Sequence, residues 1–189
     1  MGRRICSERN ILICLYLTIF LLPLSSWLFY FALVPAALLS MGDIFLTKRK
    51  VNYGGKWGWL GGGFLICSLL SVSGAADFFF SIFNWCFLPL AYAFLYVLIS
   101  TYLAGEDEKR KALYVFLAGA VCVVIWGFIQ YADAGCMARD LNAEGWVDPE
   151  RFPLLRRRMF STLGNPNLFG AYLLMLISCL LYTSLSPRE

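Results

Sequence analysis

The sequence predicts an all-α, polytopic transmembrane helical bundle, and three observations predict it. Its residues are 60% hydrophobic and only 15% charged, against an apolar share of roughly 45–50% in soluble domains. The apolar residues gather into five blocks, 11–46, 57–76, 78–103, 112–131 and 168–181, separated by charged or glycine-rich breaks. The basic residues sit in those breaks, where positively charged loops set membrane topology.

The first block is 36 residues long. As one helix it would reach about 54 Å, against a hydrocarbon core of roughly 30 Å. It is therefore expected to be a hairpin, with its turn at Pro23, Ser25 and Ser26. Proline removes a backbone donor there, and the serines can satisfy groups exposed where two helices part. Charge supports the choice. A hairpin puts Arg3, Arg4, Arg9, Lys48, Arg49, Lys50, Lys56, Lys109, Arg110 and Lys111 on one side, ten basic residues inside against five outside. A single helix would leave eight against seven. The expectation is about six spans, a cytoplasmic N-terminus and the loop 132–167 on the far side. Arg3, Arg4 and Arg9 precede an apolar run too long for a cleavable signal, so the first span is expected to stay as an anchor.

The net charge of +4 follows from these topological loops and calls for no nucleic acid partner. Of seven cysteines, Cys14, Cys67, Cys86, Cys122 and Cys179 fall in spans, Cys6 in the N-terminal tail and Cys136 alone in the external loop. No disulfide framework or metal spacing results. The chain has no histidine, the commonest zinc ligand and general base. Gly54, Gly58 and Gly62 recur every fourth residue, a spacing that lets helices approach closely. Glu106, Asp107 and Glu108 beside Lys109, Arg110 and Lys111 read as a solvated turn. In the external loop, Asp133, Arg139, Asp140, Glu144, Asp148, Glu150 and Arg151 match no calcium-loop spacing. A short interfacial helix over 138–146 would set Trp146 at headgroup level.

The most specific stretch is Arg156, Arg157, Arg158, Met159, Phe160, Ser161, Thr162, Leu163, Gly164, Asn165, Pro166, Asn167. Asn165 suits a helix N-cap and Pro166 the first helical position, which would turn backbone N–H groups and a positive dipole end outward. The arginines add planar donor forks that match phosphate oxygens. Two readings stand on these residues: an anion site at the membrane boundary, or arginines snorkelling to headgroups beside a capped helix.

The run from Arg158 to Asn167, followed by Gly170, Ala171, Tyr172 and Leu173, resembles the signature of the O-antigen ligase and polymerase family. Members read Arg-x-Phe-Gly-Thr-Phe-Gly-Asn-Pro-Asn, so Ser161 and Leu163 replace a glycine and a phenylalanine. The resemblance covers about twenty residues. It implies a multi-pass enzyme of the bacterial inner membrane, acting in lipopolysaccharide and cell-envelope biosynthesis. Such an enzyme moves a glycan from an undecaprenyl diphosphate carrier to a lipid A-core, protein or polysaccharide acceptor, without metal, nucleotide sugar or other cofactor. Carried over, Arg158 is the catalytic diphosphate contact and Arg156 and Arg157 support it. Thr162, Gly164, Asn165, Pro166 and Asn167 shape the turn.

Family members also have later helices, a second arginine and a loop histidine, so the chain is expected to match an N-terminal part, 1–178, inactive alone. The tail 179–189 resembles a translated sequencing adapter and is given no functional reading. A transporter or channel is the competing class. Its sites favour broken helices or mid-membrane charges, whereas Asp43 and Asp77 fall at span ends and read as boundary residues.

Overall fold

A computed structural model describes residues 2–132 and 159–185, and every described element is helical. In chain order these are α1 (Gly2–Leu21), α2 (Ser26–Thr47), α3 (Lys56–Val72), α4 (Phe78–Trp85), α5 (Ala91–Tyr102), α6 (Glu106–Ala132) and α7 (Pro166–Leu185). One π-helical turn, Cys86–Leu90, joins α4 to α5, and a short 3-10 turn, Ser161–Leu163, precedes α7. Among the described residues three helices are long and apolar enough to cross a membrane: Trp27–Thr47, Phe78–Tyr102 and Glu106–Ala132. At 17 residues, α3 would reach about 25 Å. The outward faces carry Trp59 and Phe79, 86% and 82% exposed. Such side chains belong against lipid rather than water.

The first apolar block does break in two. α1 stops at Leu21, whose carbonyl accepts from the N–H groups of Leu24 and Ser25 at 3.0 and 3.1 Å, and the Ser25 carbonyl opens α2 by accepting from Phe29. Pro23 lies between, as its missing donor requires. The backbone around the turn is thus satisfied largely by main-chain bonds.

The structure falls into two compact units, Met1–Thr18 with Tyr30–Leu113, and Ile19–Phe29 with Tyr114–Glu189. In the first unit, α2 buries Ala32, Leu33, Ala36, Ser40 and Asp43 along one stripe, the three-to-four spacing of a single helical face. Asp43 is only 3% exposed, so it is no solvated boundary residue. Its Oδ2 accepts from the Tyr102 hydroxyl at 3.1 Å and pairs with Arg49 Nε at 3.3 Å. The Arg49 guanidinium also pairs with Glu8 and lies 4.9 Å from the centre of the Tyr102 ring. Burial makes these pairings obligatory, because an unpaired charge there would be costly. Asn52 fastens the loop after α2 to the end of α5. Its N–H donates to Thr101 Oγ1 at 3.1 Å and its side-chain amide to the Ser100 carbonyl at 3.0 Å. Asp77, in contrast, is the expected boundary residue, capping α4 by accepting from the Phe80 N–H at 3.0 Å.

The glycine stripe differs from expectation. α3 begins at Lys56, so Gly54 lies in the preceding turn with φ 74° and only Gly58 and Gly62 are helical. A side chain at Gly58 would strike the Tyr53 carbonyl. That glycine accommodates the chain doubling back, not a neighbouring helix. Among the described residues Cys14, Cys67, Cys86 and Cys122 are free thiols.

Candidate functional site

The second unit contains the candidate site, built on one face of α6. Gly119, Ala120, Val123, Gly127 and Gln130 are the buried residues of this helix, and their spacing places them on one side. Two of them are glycines because backbone and rings come close. A Cβ at Gly119 would lie 2.8 Å from the Phe20 carbonyl oxygen and 3.4 Å from the Pro23 ring, and one at Gly127 would meet the Phe169 ring at 3.3 Å. The small-residue interface expected at α3 is therefore found on α6.

Gln130 closes that face and organises the motif turn. It is 2% exposed, and its Oε1 accepts from the backbone N–H groups of Ser161 at 2.9 Å and Phe160 at 3.3 Å. Away from water these donors need such a partner. Ser161 Oγ donates to the Val123 carbonyl at 2.5 Å. Thr162 Oγ1 donates to the Pro23 carbonyl at 2.7 Å, tying the motif to the turn between α1 and α2. Phe160, 4% exposed, packs with Met159 as an apolar plug.

The turn then reverses into α7. The Leu163 N–H donates to the Phe160 carbonyl at 3.2 Å, and Gly164 takes φ 68°, a conformation open to glycine at little cost. Ser161 also has positive φ, at 53°, which is uncommon for a residue with a side chain. Its two hydrogen bonds into α6 hold it there. Asn165 is the N-cap: its Oδ1 accepts from the Asn167 N–H at 2.8 Å and its carbonyl from the Phe169 N–H at 3.0 Å. Pro166 occupies the first helical position, as expected.

This cap alters the anion-site expectation. Pro166 has no N–H and Asn167 spends its own on Asn165, so the helix end offers an anion its dipole more than a cradle of donors. The burden of direct contact falls on cations. Arg156, Arg157 and Arg158 lie outside the described residues, as do Cys136, the external-loop acids and the expected interfacial helix over 138–146.

One polar atom stands unanswered. The Tyr172 hydroxyl on α7 is buried without a hydrogen-bond partner among the described residues, while its ring meets Phe116 edge-on at 6.3 Å. Gln130, Gly119 and Gly127 were not singled out from the sequence. A glutamine in the last turns of an apolar helix was the available signal, since polar side chains in membrane helices face protein. No protein-family model, curated protein or solved structure matches this chain.

Proposed function

We propose that this protein is an O-antigen ligase-like membrane glycosyltransferase that transfers a glycan from undecaprenyl diphosphate to a lipid A-core, protein or polysaccharide acceptor. The observation that carries the reading is the motif turn. Thr162, Gly164, Asn165 and Pro166 each have a distinct positional task there. At 161, where the family motif has glycine, the backbone is left-handed. That agreement between motif and backbone supports the resemblance independently of residue matching.

In this mechanism an acceptor hydroxyl forms the new bond to the sugar's anomeric carbon and gives its proton to a base, the role the family's loop histidine fills. The bond from that carbon to the carrier breaks at the same time, and negative charge grows on the departing diphosphate. Arg158, assisted by Arg156 and Arg157, neutralises that charge, and the N-terminal end of α7 adds its dipole. Fixed cations at a poorly hydrated boundary stabilise such a transition state more than the ground state. The accompanying topology is about six spans in the bacterial inner membrane, with a cytoplasmic N-terminus and the motif on the periplasmic face. Within unit two, the α1–α2 turn, the end of α6 and the start of α7 share one end, as that topology requires.

The test is glycan transfer by full-length protein in vesicles loaded with carrier-linked donor. Arg158→Ala is expected to lower the rate by about 10²–10³-fold, the usual loss for one transition-state donor, with Arg158→Lys intermediate. An undiminished rate in Arg158→Ala rejects the assignment.

A further inference from the structure

A groove in the first unit, away from the motif turn in sequence and in unit membership, carries a separate proposal. It has a volume of about 660 Å³ and lies between α3 and the α4–α5 segment. That volume is in the range of small-molecule pockets. No Asp, Glu, Lys or Arg lines it.

Its shape follows from the sequence. On the α3 wall Gly58, Gly61 and Gly62 contribute no side chain between Trp57 and Phe64, and Ala93 opposite contributes only a methyl group. The other wall is displaced by the π-helical turn Cys86–Leu90, which contains Pro89. Such turns insert a residue into a helix and recur at functional sites. Tyr30 reinforces this one by donating to the Phe87 carbonyl, so the widening is fixed from behind. From Trp57 to Leu65 the lining descends about 12 Å along α3. A void of this size in a lipid-facing wall cannot remain empty without forfeiting packing along its whole lining.

The end where α3 begins has a different chemistry. Tyr53, Trp57 and Tyr96 line the groove there, the aromatic signature of headgroup depth. Lys56 is exposed beside them and makes no ion pair among the described residues. The α3 N-cap, Gly55, gives no side-chain hydrogen bond to the helix N-terminus. Lys56 and the positive end of α3 thus adjoin the aromatic end of an apolar groove, an arrangement complementary to a molecule with a phosphate at one end and a hydrocarbon chain at the other.

We propose that this groove binds one anionic glycerophospholipid, with an acyl chain between α3 and the π turn and its phosphate at Lys56. The glycines provide the test. A side chain added at Gly61, Gly62 or Gly63 meets nothing within 4 Å, yet only Gly61 and Gly62 line the groove. The full chain, purified in mild detergent and examined by native mass spectrometry with added phosphatidylglycerol, should retain about one lipid per chain. Gly61→Leu/Gly62→Leu should lower retention by about tenfold, with Gly63→Leu unchanged as the folding control. Lys56→Ala should lower the preference for phosphatidylglycerol over phosphatidylcholine by about fivefold, the usual worth of one basic side chain near anionic lipid. Equal retention by the double variant and wild type overturns the proposal. So does displacement of the phospholipid by polyprenyl phosphate, or a groove covered by another protein helix and closed to added lipid.

Discussion

Asp43 and Gln130 are both buried polar side chains on apolar helices, and both fasten a non-helical segment to its unit. Asp43 does so with charge: one carboxylate holds Arg49 and Tyr102, and Arg49 in turn holds Glu8. Gln130 does so without charge, its amide oxygen serving two main-chain N–H groups. The difference lies in what each leaves behind when broken. Removing one partner of a buried ion pair strands a charge, whereas removing a neutral acceptor strands dipoles.

Breaking the charged anchor should therefore have the largest effect. Arg49→Ala leaves the Asp43 side chain at 1% exposure without its cation, and unfolding in detergent should show a loss of about 3–5 kcal/mol. Glu8→Ala removes a partner whose side chain is 39% exposed, and its cost should stay within about 1 kcal/mol. Equal losses from the two would remove burial as the explanation.

The neutral anchor comes next. Gln130→Leu should cost about 1–3 kcal/mol, and hydrogen exchange should accelerate at Phe160 and Ser161 while the end of α5 stays protected. Asn165→Ala, which removes only the cap, should cost about 1 kcal/mol. The smallest effect is expected at Tyr172→Phe. Deleting a buried hydroxyl that has no partner should leave stability within about 0.5 kcal/mol of the parent, or raise it. A clear loss there would reveal a partner for that hydroxyl outside the described residues.

The same pair shows what could be read without coordinates. Local rules were legible. A 36-residue apolar block had to break, and it breaks around Pro23. Asn165 and Pro166 announced a helix start that α7 has, and Asp77 announced the start of α4. Pairings across the chain were not legible. Asp43 sits at a span end in the sequence, and only the fold of α1, α2 and α5 places it against Tyr102, 59 residues away. Gln130 likewise meets Ser161 across 31 residues. Glycine spacing pointed to α3, but spacing alone does not say what occupies the space beside it: Gly58 faces the Tyr53 carbonyl of its own approach, and it is Gly119 and Gly127 on α6 that meet residues of other helices, Phe20 and Phe169.

The hydrogen bond from Thr162 to the Pro23 carbonyl joins residues 139 positions apart. Synthesis runs from the N-terminus, so α1, the turn and α2 exist long before the acceptor meets its donor. That carbonyl cannot be satisfied by Thr162 until α6 and the segment after it have been made. The motif turn is thus a late-closing contact in biogenesis, and its assembly reports that the earlier helices have reached their places.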